Sequence, residues 1–531
     1  MNKFYITTPI YYVNANPHIG HTYTTVAADV LARFHRLIGD KTFFLTGTDE
    51  HGAKIEEWAR DAGLKPQEFV DRVSAKFQFI WNELNISNDR FIRTTESEHM
   101  RAVQNALEFM YKKGDIYKGE YEGLYCRGCE QFKTERDLID GLCPDHKVAP
   151  ELMKEECYMF KMSKYRDEIL KKIEKDEFKI LPAERKNEIS SFYKNEKLED
   201  VSFSRKNVKW GIPLPWDETH TTYVWADAFL NYLTGLGWTG PEDKNGSWRE
   251  YWPADVHLMS KDILRVHATI WPAMLLSLGL GLPRELFIHG FFLVDGQKMS
   301  KSLGNVISPE DLMNRYGVDG TRYLLMSATP FGHDGDIGWN KFDEKYNADL
   351  ANGIGNLVAR SITLAEKASL IKGDRGDLTQ NSKIPEAEQA RYGAGKTQNH
   401  NLKFKTEIEQ SWKTYQENLL ELKIDSAIDV INKRIKFLDG YITEMKPWEM
   451  IKNSNENTGE VMYNVLESLR HVALMLWPFM PETAEKIYES LGLDMGKEMA
   501  EDKKFEDAIE WGGLSFETKI KKGGVLFPRI F

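Results

Sequence analysis

Residues 3–52 read KFYITTPIYYVNANPHIGHTYTTVAADVLARFHRLIGDKTFFLTGTDEHG, and this stretch decides the fold. Residues 3–7 are rich in β formers, and a turn region with two prolines follows at 9–17. A helix is expected to open near His18, because Val26, Val30, Leu31, Phe34 and Leu37 recur at helical spacing and give it an apolar face for a sheet. Gly39 and Asp40 end it, and a second strand at 42–46 runs into Gly47-Thr48-Asp49-Glu50-His51-Gly52. Strand, helix and strand in so few residues predict a right-handed parallel unit. Such sheets bind ligands at the carboxyl ends of their strands, where the polar clusters around His18 and Asp49 fall.

Further along, residues 113–220 change to short strands and turns and hold all four cysteines, as an insertion would. The α/β alternation resumes at 223–228 and 255–259, and 286–294 reads as a last long strand. It leads into Asp295-Gly296-Gln297-Lys298-Met299-Ser300-Lys301-Ser302-Leu303-Gly304, a loop whose flanking glycines permit movement. Beyond 346 strand signals nearly vanish, and amphipathic stretches such as 348–365 and 424–438 predict helices. The polar stretch 373–401 reads as an exposed connection, and Val525-Leu526-Phe527-Pro528 is apolar enough to pack back on the body.

A chain of 531 residues is too long for one small module and predicts several packed units. With 70 Lys+Arg against 81 Asp+Glu, its net charge of -11 opposes a cationic nucleic-acid coat or a membrane-surface binder. Residues 346–531 carry 25 Lys+Arg and 29 Asp+Glu, so no basic domain is hidden in the helical part. Four cysteines are too few for a disulfide scaffold, and three fall at metal-ligand spacing. The longest apolar stretch, 270–282, is too short to span a bilayer and contains Pro272. Residues 1–13 lack a sustained apolar segment, so a cytoplasmic protein without a membrane partner is expected.

Three clusters carry chemistry. In His18-Ile19-Gly20-His21, a glycine in the first helical turn admits close approach, the helix terminus favours phosphate, and two imidazoles can donate to phosphate oxygens. In Lys298-Met299-Ser300-Lys301-Ser302, two lysines on a glycine-flanked loop form a cationic clamp for charge that grows during phosphoryl or nucleotidyl transfer. Cys126-Arg127-Gly128-Cys129 and Cys143-Pro144-Asp145-His146 are ligand pairs on tight turns, suited to one closed-shell structural Zn2+. The spacing favours Cys126, Cys129, Cys143 and His146; Cys157 is the alternative to His146 as fourth ligand and otherwise a small core residue.

The first two clusters, in this order at the two ends of an interrupted α/β domain, resemble the signature pair of class I aminoacyl-tRNA synthetases. The resemblance runs through nearly the whole chain and is closest to the methionyl-tRNA synthetase family. It rests on Thr8-Pro9-Ile10-Tyr11-Tyr12-Val13-Asn14, on Gly47-Thr48-Asp49-Glu50-His51-Gly52, on Tyr223-Val224-Trp225-Ala226-Asp227-Ala228, on Lys261-Asp262-Ile263 with His267, and on the zinc-like insertion. It implies a Rossmann-like parallel-sheet catalytic domain in two halves, 1–112 and 221–294, around a zinc-binding connective insertion at 113–220. A KMSKS loop and stem-contact region would follow at 295–345, and an α-helical bundle anticodon-binding domain with its tail at 346–531.

The implied reaction converts L-methionine and ATP to methionyl adenylate and pyrophosphate and then charges tRNA(Met) with release of AMP, with Mg2+ accompanying ATP. The resemblance assigns ATP binding to His18, Gly20, His21, Lys298 and Lys301, and methionine binding to Ile10, Tyr12, Trp225, Tyr232, Ile263 and His267, with Asp49 taking the ammonium. A thioether offers little to hydrogen-bond, so shape and polarizable aromatic contacts must select it. Met259-Ser260 and Phe229 depart from the family pattern and would alter the pocket wall. Asn352-Gly353-Ile354-Gly355-Asn356-Leu357-Val358-Ala359-Arg360 and Lys446-Pro447-Trp448 resemble anticodon-reading elements. Asn356 and Arg360 share a helix face, and Trp448 can stack on an unpaired base. Synthetases for isoleucine, valine and leucine need a large editing insertion, for which 113–220 leaves no room beside the zinc hairpin. A monomer is expected, because no further tRNA-binding module follows Phe531.

Overall fold

The computed structural model describes all residues except 1, 15, 129–130, 134, 136–137, 145, 207, 295, 299–305, 373–396, 500–502, 516–518 and 531. The chain divides into two compact units, one of residues 3–17 and 42–289, the other of 1–2, 18–41 and 290–531.

The first unit is built on a six-stranded sheet in the order Arg90–Arg93, Lys41–Asp49, Lys3–Tyr12, Val256–Ser260, Glu285–His289 and Lys179–Leu181. The pairings read in register are all parallel: Leu45 with Arg90, Ile6 with Val256, Val256 with Glu285, and Glu285 with Lys179. Its four inner strands are buried at consecutive rather than alternating residues, the pattern of a sheet covered on both faces. Lys3–Tyr12 outruns the expected 3–7: Ile6 and Thr7 pair with Val256 and His257, and Pro9, which has no N–H for a ladder, comes after those pairs.

The edge strand Lys179–Leu181 falls within the span 113–220, and so do the helices Arg166–Glu174 and Ala183–Asn195. The cysteine region is an antiparallel sheet of Gln131–Lys133, Ile116–Cys126, Glu151–Phe160 and Val201–Ser202. The core runs from Tyr5, Leu45 and Ile92 through Phe229, Tyr232 and Met259 to Trp271 and Ile288.

In the second unit the helix Ile19–Leu37 is buried along most of its length and ends where Gly39, at φ 84°, turns the chain left-handed. The helix Pro309–Ser327 packs against it, opened by Ser308, whose hydroxyl accepts from the Asp311 N–H at 3.1 Å. The single strand expected over 286–294 is in fact two, Glu285–His289 and Phe292–Val294. The break follows from Gly290, where a Cβ would overlap the backbone of His333 and Asp334, and from the Phe291 N–H, which turns to the Asp334 carboxylate at 2.8 Å. Phe292–Val294 pairs instead with Gly335–Ile337 and Gln297–Lys298.

The remainder is helical: Asn356–Lys372, Thr397–Leu420, Ile424–Met445, Pro447–Lys452, Thr458–Leu476 and Pro481–Ser490. Phe527 packs back onto Tyr346 with ring centroids 6.0 Å apart, whereas Val525 stays exposed. Among the described residues, no helix is long and apolar enough to cross a membrane.

Candidate active site and anticodon elements

The candidate residues divide between the two units. In the second, His18 caps the helix Ile19–Leu37 with its side chain: Nδ1 accepts from the Gly20 N–H at 3.1 Å, and His21 Nδ1 accepts from the His18 N–H at 3.4 Å. These two bonds fix both tautomers with the proton on Nε2, so each ring keeps a donor while it caps. The imidazoles stack at 3.7 Å, and burial with the neighbouring His18 holds His21 well below its ordinary pKa, so it is neutral at pH 7. A Cβ at Gly20 would come within 3.0 Å of the His18 ring. The Ile19 N–H donates to the Ile307 carbonyl at 3.4 Å, which returns the far end of the lysine loop to this helix start. Lys298 lies in the strand Gln297–Lys298 opposite Leu293, while Lys301 lies outside the described residues.

In the first unit, the buried Asp49 ends the strand Lys41–Asp49, and its carbonyl accepts from Val13 N–H. Ile10 and Tyr12 are half-buried at the end of the neighbouring strand, and Tyr12 lies 6.1 Å from Trp58. Beside Asp49, the buried Glu50 takes a two-point bond from Arg93 at 2.8 and 2.9 Å and hydroxyls from Thr48 and Thr95, which pins the loop to the edge strand.

His51 Nδ1 bonds Asp227 at 2.7 Å, and His99 Nε2 holds the other Asp227 oxygen at 2.7 Å. Burial pushes the Asp227 carboxyl up, but the field and hydrogen bonds of His51 and His99 outweigh it and hold the pKa at about 2. This bridge ties the loop that bears Asp49 to the short helix Val224–Ala228 that bears Trp225.

Trp225 stacks on Phe229 at 5.3 Å, and Phe229 stacks on Trp271 at 5.7 Å and meets His267 edge-on at 4.9 Å. The departure at Phe229 therefore places a buried aromatic ring between Trp225, Trp271 and His267. Tyr232 donates its hydroxyl to His267 Nε2 at 2.8 Å, while His267 Nδ1 donates to the Ile263 carbonyl at 2.9 Å. Both partners agree on one tautomer, and burial lowers His267 to about 4, leaving it neutral. Ile263, half-buried, closes the turn before the helix Leu264–Leu278; Met259 is buried, and the Ser260 hydroxyl bonds Asp262.

The ligand atoms of Cys126, Cys143 and His146 all lie within 4.8 Å of one another, and Cys143 Sγ is 3.9 Å from His146 Nδ1. A tetrahedral ion bound by sulfur and nitrogen would set that last distance at about 3.6 Å. A Cβ on Gly128 would overlap the His146 ring, so the glycine between the ligands keeps room for the imidazole. The three donors fit one metal ion. Cys129 lies outside the described residues, and Cys157 is not in the group: it is buried, and its thiol donates to the Met159 sulfur.

In the helical part Asn356 opens its helix exposed, and Arg360 is four residues on. Arg360 donates to Asp439 at 3.1 Å and lies 5.0 Å over the ring of Trp448, which is 40% exposed. Asn356 and Arg360 share the helix face expected of them, and the fold adds Trp448, which is distant in sequence, by stacking it against Arg360.

A parallel sheet with Asp49 at a strand end, a helix opened by two capping histidines and, in the sequence, the motif Lys298-Met299-Ser300-Lys301-Ser302 define a class I tRNA synthetase. Residues 4–149 and 146–362 match the family described as tRNA synthetases class I (M), and 392–530 match the anticodon binding domain of methionyl tRNA ligase. The methionine–tRNA ligase of Clostridium acetobutylicum is 44% identical over 99% of this chain and 78% of its own length, and that of Streptomyces coelicolor is 41% identical over 99% and 96%. The solved Mycobacterium tuberculosis methionyl-tRNA synthetase in complex with methionyl-adenylate superposes with a TM-score of 0.89 at 35% identity, covering 100% of both chains. The chain belongs to the methionyl-tRNA synthetase family.

Proposed function

We propose that this enzyme activates L-methionine with ATP and transfers it to the 3'-terminal adenosine of tRNA(Met). The observation that carries this reading is similarity along essentially the whole of this chain to methionine–tRNA ligases; the motifs that hold His18, His21, Asp49, Trp225 and His267 support it. A methionine carboxylate oxygen bonds the α-phosphorus as the bond to the β-phosphate oxygen breaks and pyrophosphate leaves. A ribose hydroxyl then attacks the adenylate carbonyl and AMP leaves.

His18 and His21 donate Nε2–H to phosphate oxygens, and Lys298 and Lys301 meet the charge growing on pyrophosphate. Asp49 takes the substrate ammonium. Ile10, Tyr12, Trp225, Tyr232, Ile263 and His267 contact the thioether side chain; a neutral His267 held by Tyr232 keeps charge away from an apolar ligand. Mg2+ travels with ATP. Zinc held by Cys126, Cys129, Cys143 and His146 would act structurally, as a cross-link of the turns that carry them.

Asn356, Arg360 and Trp448 read unpaired anticodon bases, with Trp448 as the stacking surface. These substrates belong to translation, and the cytoplasm is the compartment we assign. Charging of tRNA(Met) with labelled methionine tests the reading, and no charging would overturn it. If Lys301→Ala left the pyrophosphate-exchange rate within about threefold of the parent, the clamp role would be wrong, since loss of such stabilisation costs about a hundredfold.

A further inference from the structure

The buried side of the helix Ile19–Leu37 carries a feature that ATP binding does not use. Asp29, fully buried, accepts from Arg33 Nε at 2.8 Å and from the Arg322 guanidinium at 2.7 Å. The same guanidinium, also fully buried, donates to the carbonyls of Phe479 at 2.8 Å and Pro478 at 2.9 Å. Those carbonyls follow the carboxyl end of the helix Thr458–Leu476, whose dipole favours a cation there. One turn before Arg322, the buried Asp319 carboxylate accepts from the Thr483 N–H at 2.6 Å, at the start of the helix Pro481–Ser490. The helix Pro309–Ser327 thus grips the corner at 477–483 with an anion at one helix's start and a cation at another's end.

The other end of Thr458–Leu476 follows the short helix Pro447–Lys452, which bears Trp448 and packs against it. Asn356–Lys372, which bears Arg360, packs on it too. A nineteen-residue helix spans about 28 Å, and Asp29 lies eight residues, about 12 Å, from His21 along a second rigid helix. Two rods therefore meet at one guanidinium, with the proposed anticodon platform at the far end of one and the proposed phosphate donors at the end of the other.

We propose that Arg322, with Asp29, is a positioning residue that couples the occupancy of the Trp448 platform to the placement of His18 and His21. The inference rests on the anticodon and ATP roles given above. A displacement of the bundle corner moves the guanidinium, and Asp29 cannot keep its bond without following, because both groups are buried and charged and an unmatched charge there is costly.

The test uses the full chain and the RNA hairpin of the tRNA(Met) anticodon stem and loop. Binding of the hairpin, read by fluorescence anisotropy, checks the anticodon reading by itself; no binding would sink that reading and the coupling with it. With the hairpin bound, amide exchange at 19–24 is expected to slow by about fivefold, a typical coupling magnitude; unchanged exchange with binding intact would overturn the coupling alone. A mutant cycle gives the second readout. Trp448→Ala should lower the aminoacylation kcat about tenfold in the parent but less than about twofold in Arg322→Lys, while its effect on the KM for tRNA persists in both. Effects on kcat that simply multiply would mean a clamp with no coupling. Should Arg322→Lys fail to fold, the exchange result on the unaltered chain decides.

Discussion

Asp227→Asn should damage methionine recognition without touching methionine. Asp227 accepts two 2.7 Å bonds, from His51 and His99, in a site closed to solvent. Its pKa stands at about 2 against an ordinary 3.8. At about 1.4 kcal/mol per unit, the ionised form stabilises the folded state by roughly 2 kcal/mol. The sign follows from linkage: a depressed carboxyl adds stability that is complete above its ordinary pKa and is lost as pH falls towards 2. Counting the bonds leads to a similar figure, since hydrogen bonds to a charged group contribute about 1.5–3 kcal/mol each and asparagine can replace one.

Asp227→Asn should therefore lose about 2–4 kcal/mol in urea unfolding near pH 7. The same change removes the charge and one of the two bonds that hold His51, two residues beyond Asp49, and His99 to the helix that carries Trp225, and so loosens that bridge. The KM for methionine should rise about tenfold or more, with the KM for ATP moving far less, because small misplacements in a binding constellation are costly. A stability loss under about 1 kcal/mol, or equal changes in both KM values, would refute the argument.

Tyr232→Phe removes the donor to His267 Nε2 and should cost about 1–3 kcal/mol, together with affinity for methionine, in calorimetry of the free and liganded protein. Because His267 and His471 are both lowered to about 4 by burial, the unfolded chain binds protons more readily between pH 6.5 and 4. Urea midpoints should therefore fall as pH drops through that window and stay flat from 7 to 9. Chelation of the metal, or Cys143→Ser, should lower the melting temperature and release about one zinc per chain, read by a metallochromic dye. The salt dependence of tRNA binding should be shallow, since a helical part with net charge -4 releases few counterions; a steep slope would contradict stacking as the main term.

Much of this was legible in the sequence where local chemistry and global placement coincide. The helix start near His18 was readable from the apolar spacing that follows it, though its capping by two imidazoles was not, and the spacing of Cys126, Cys143 and His146 announces metal-type donors that the fold brings together. Other features depend on distant partners and leave no local mark. Nothing near His99 shows that it meets Asp227, 128 residues on, and nothing near Asp29 shows that it meets Arg322, 293 residues on. His51 and Asp227 were visible within quoted motifs, but only the fold joins them. The strand break at Gly290 was missed for the same reason, because its cause is the backbone of His333 and Asp334, which no periodicity records.

The proposed function requires that an aromatic side-chain pocket without a charged group select methionine for adenylation. ATP–pyrophosphate exchange, run with each of the twenty amino acids in turn, tests it most directly. Exchange is expected with L-methionine and none comparable with the others; exchange driven best by cysteine, leucine or any other amino acid, or none with methionine, would rule out selection of methionine.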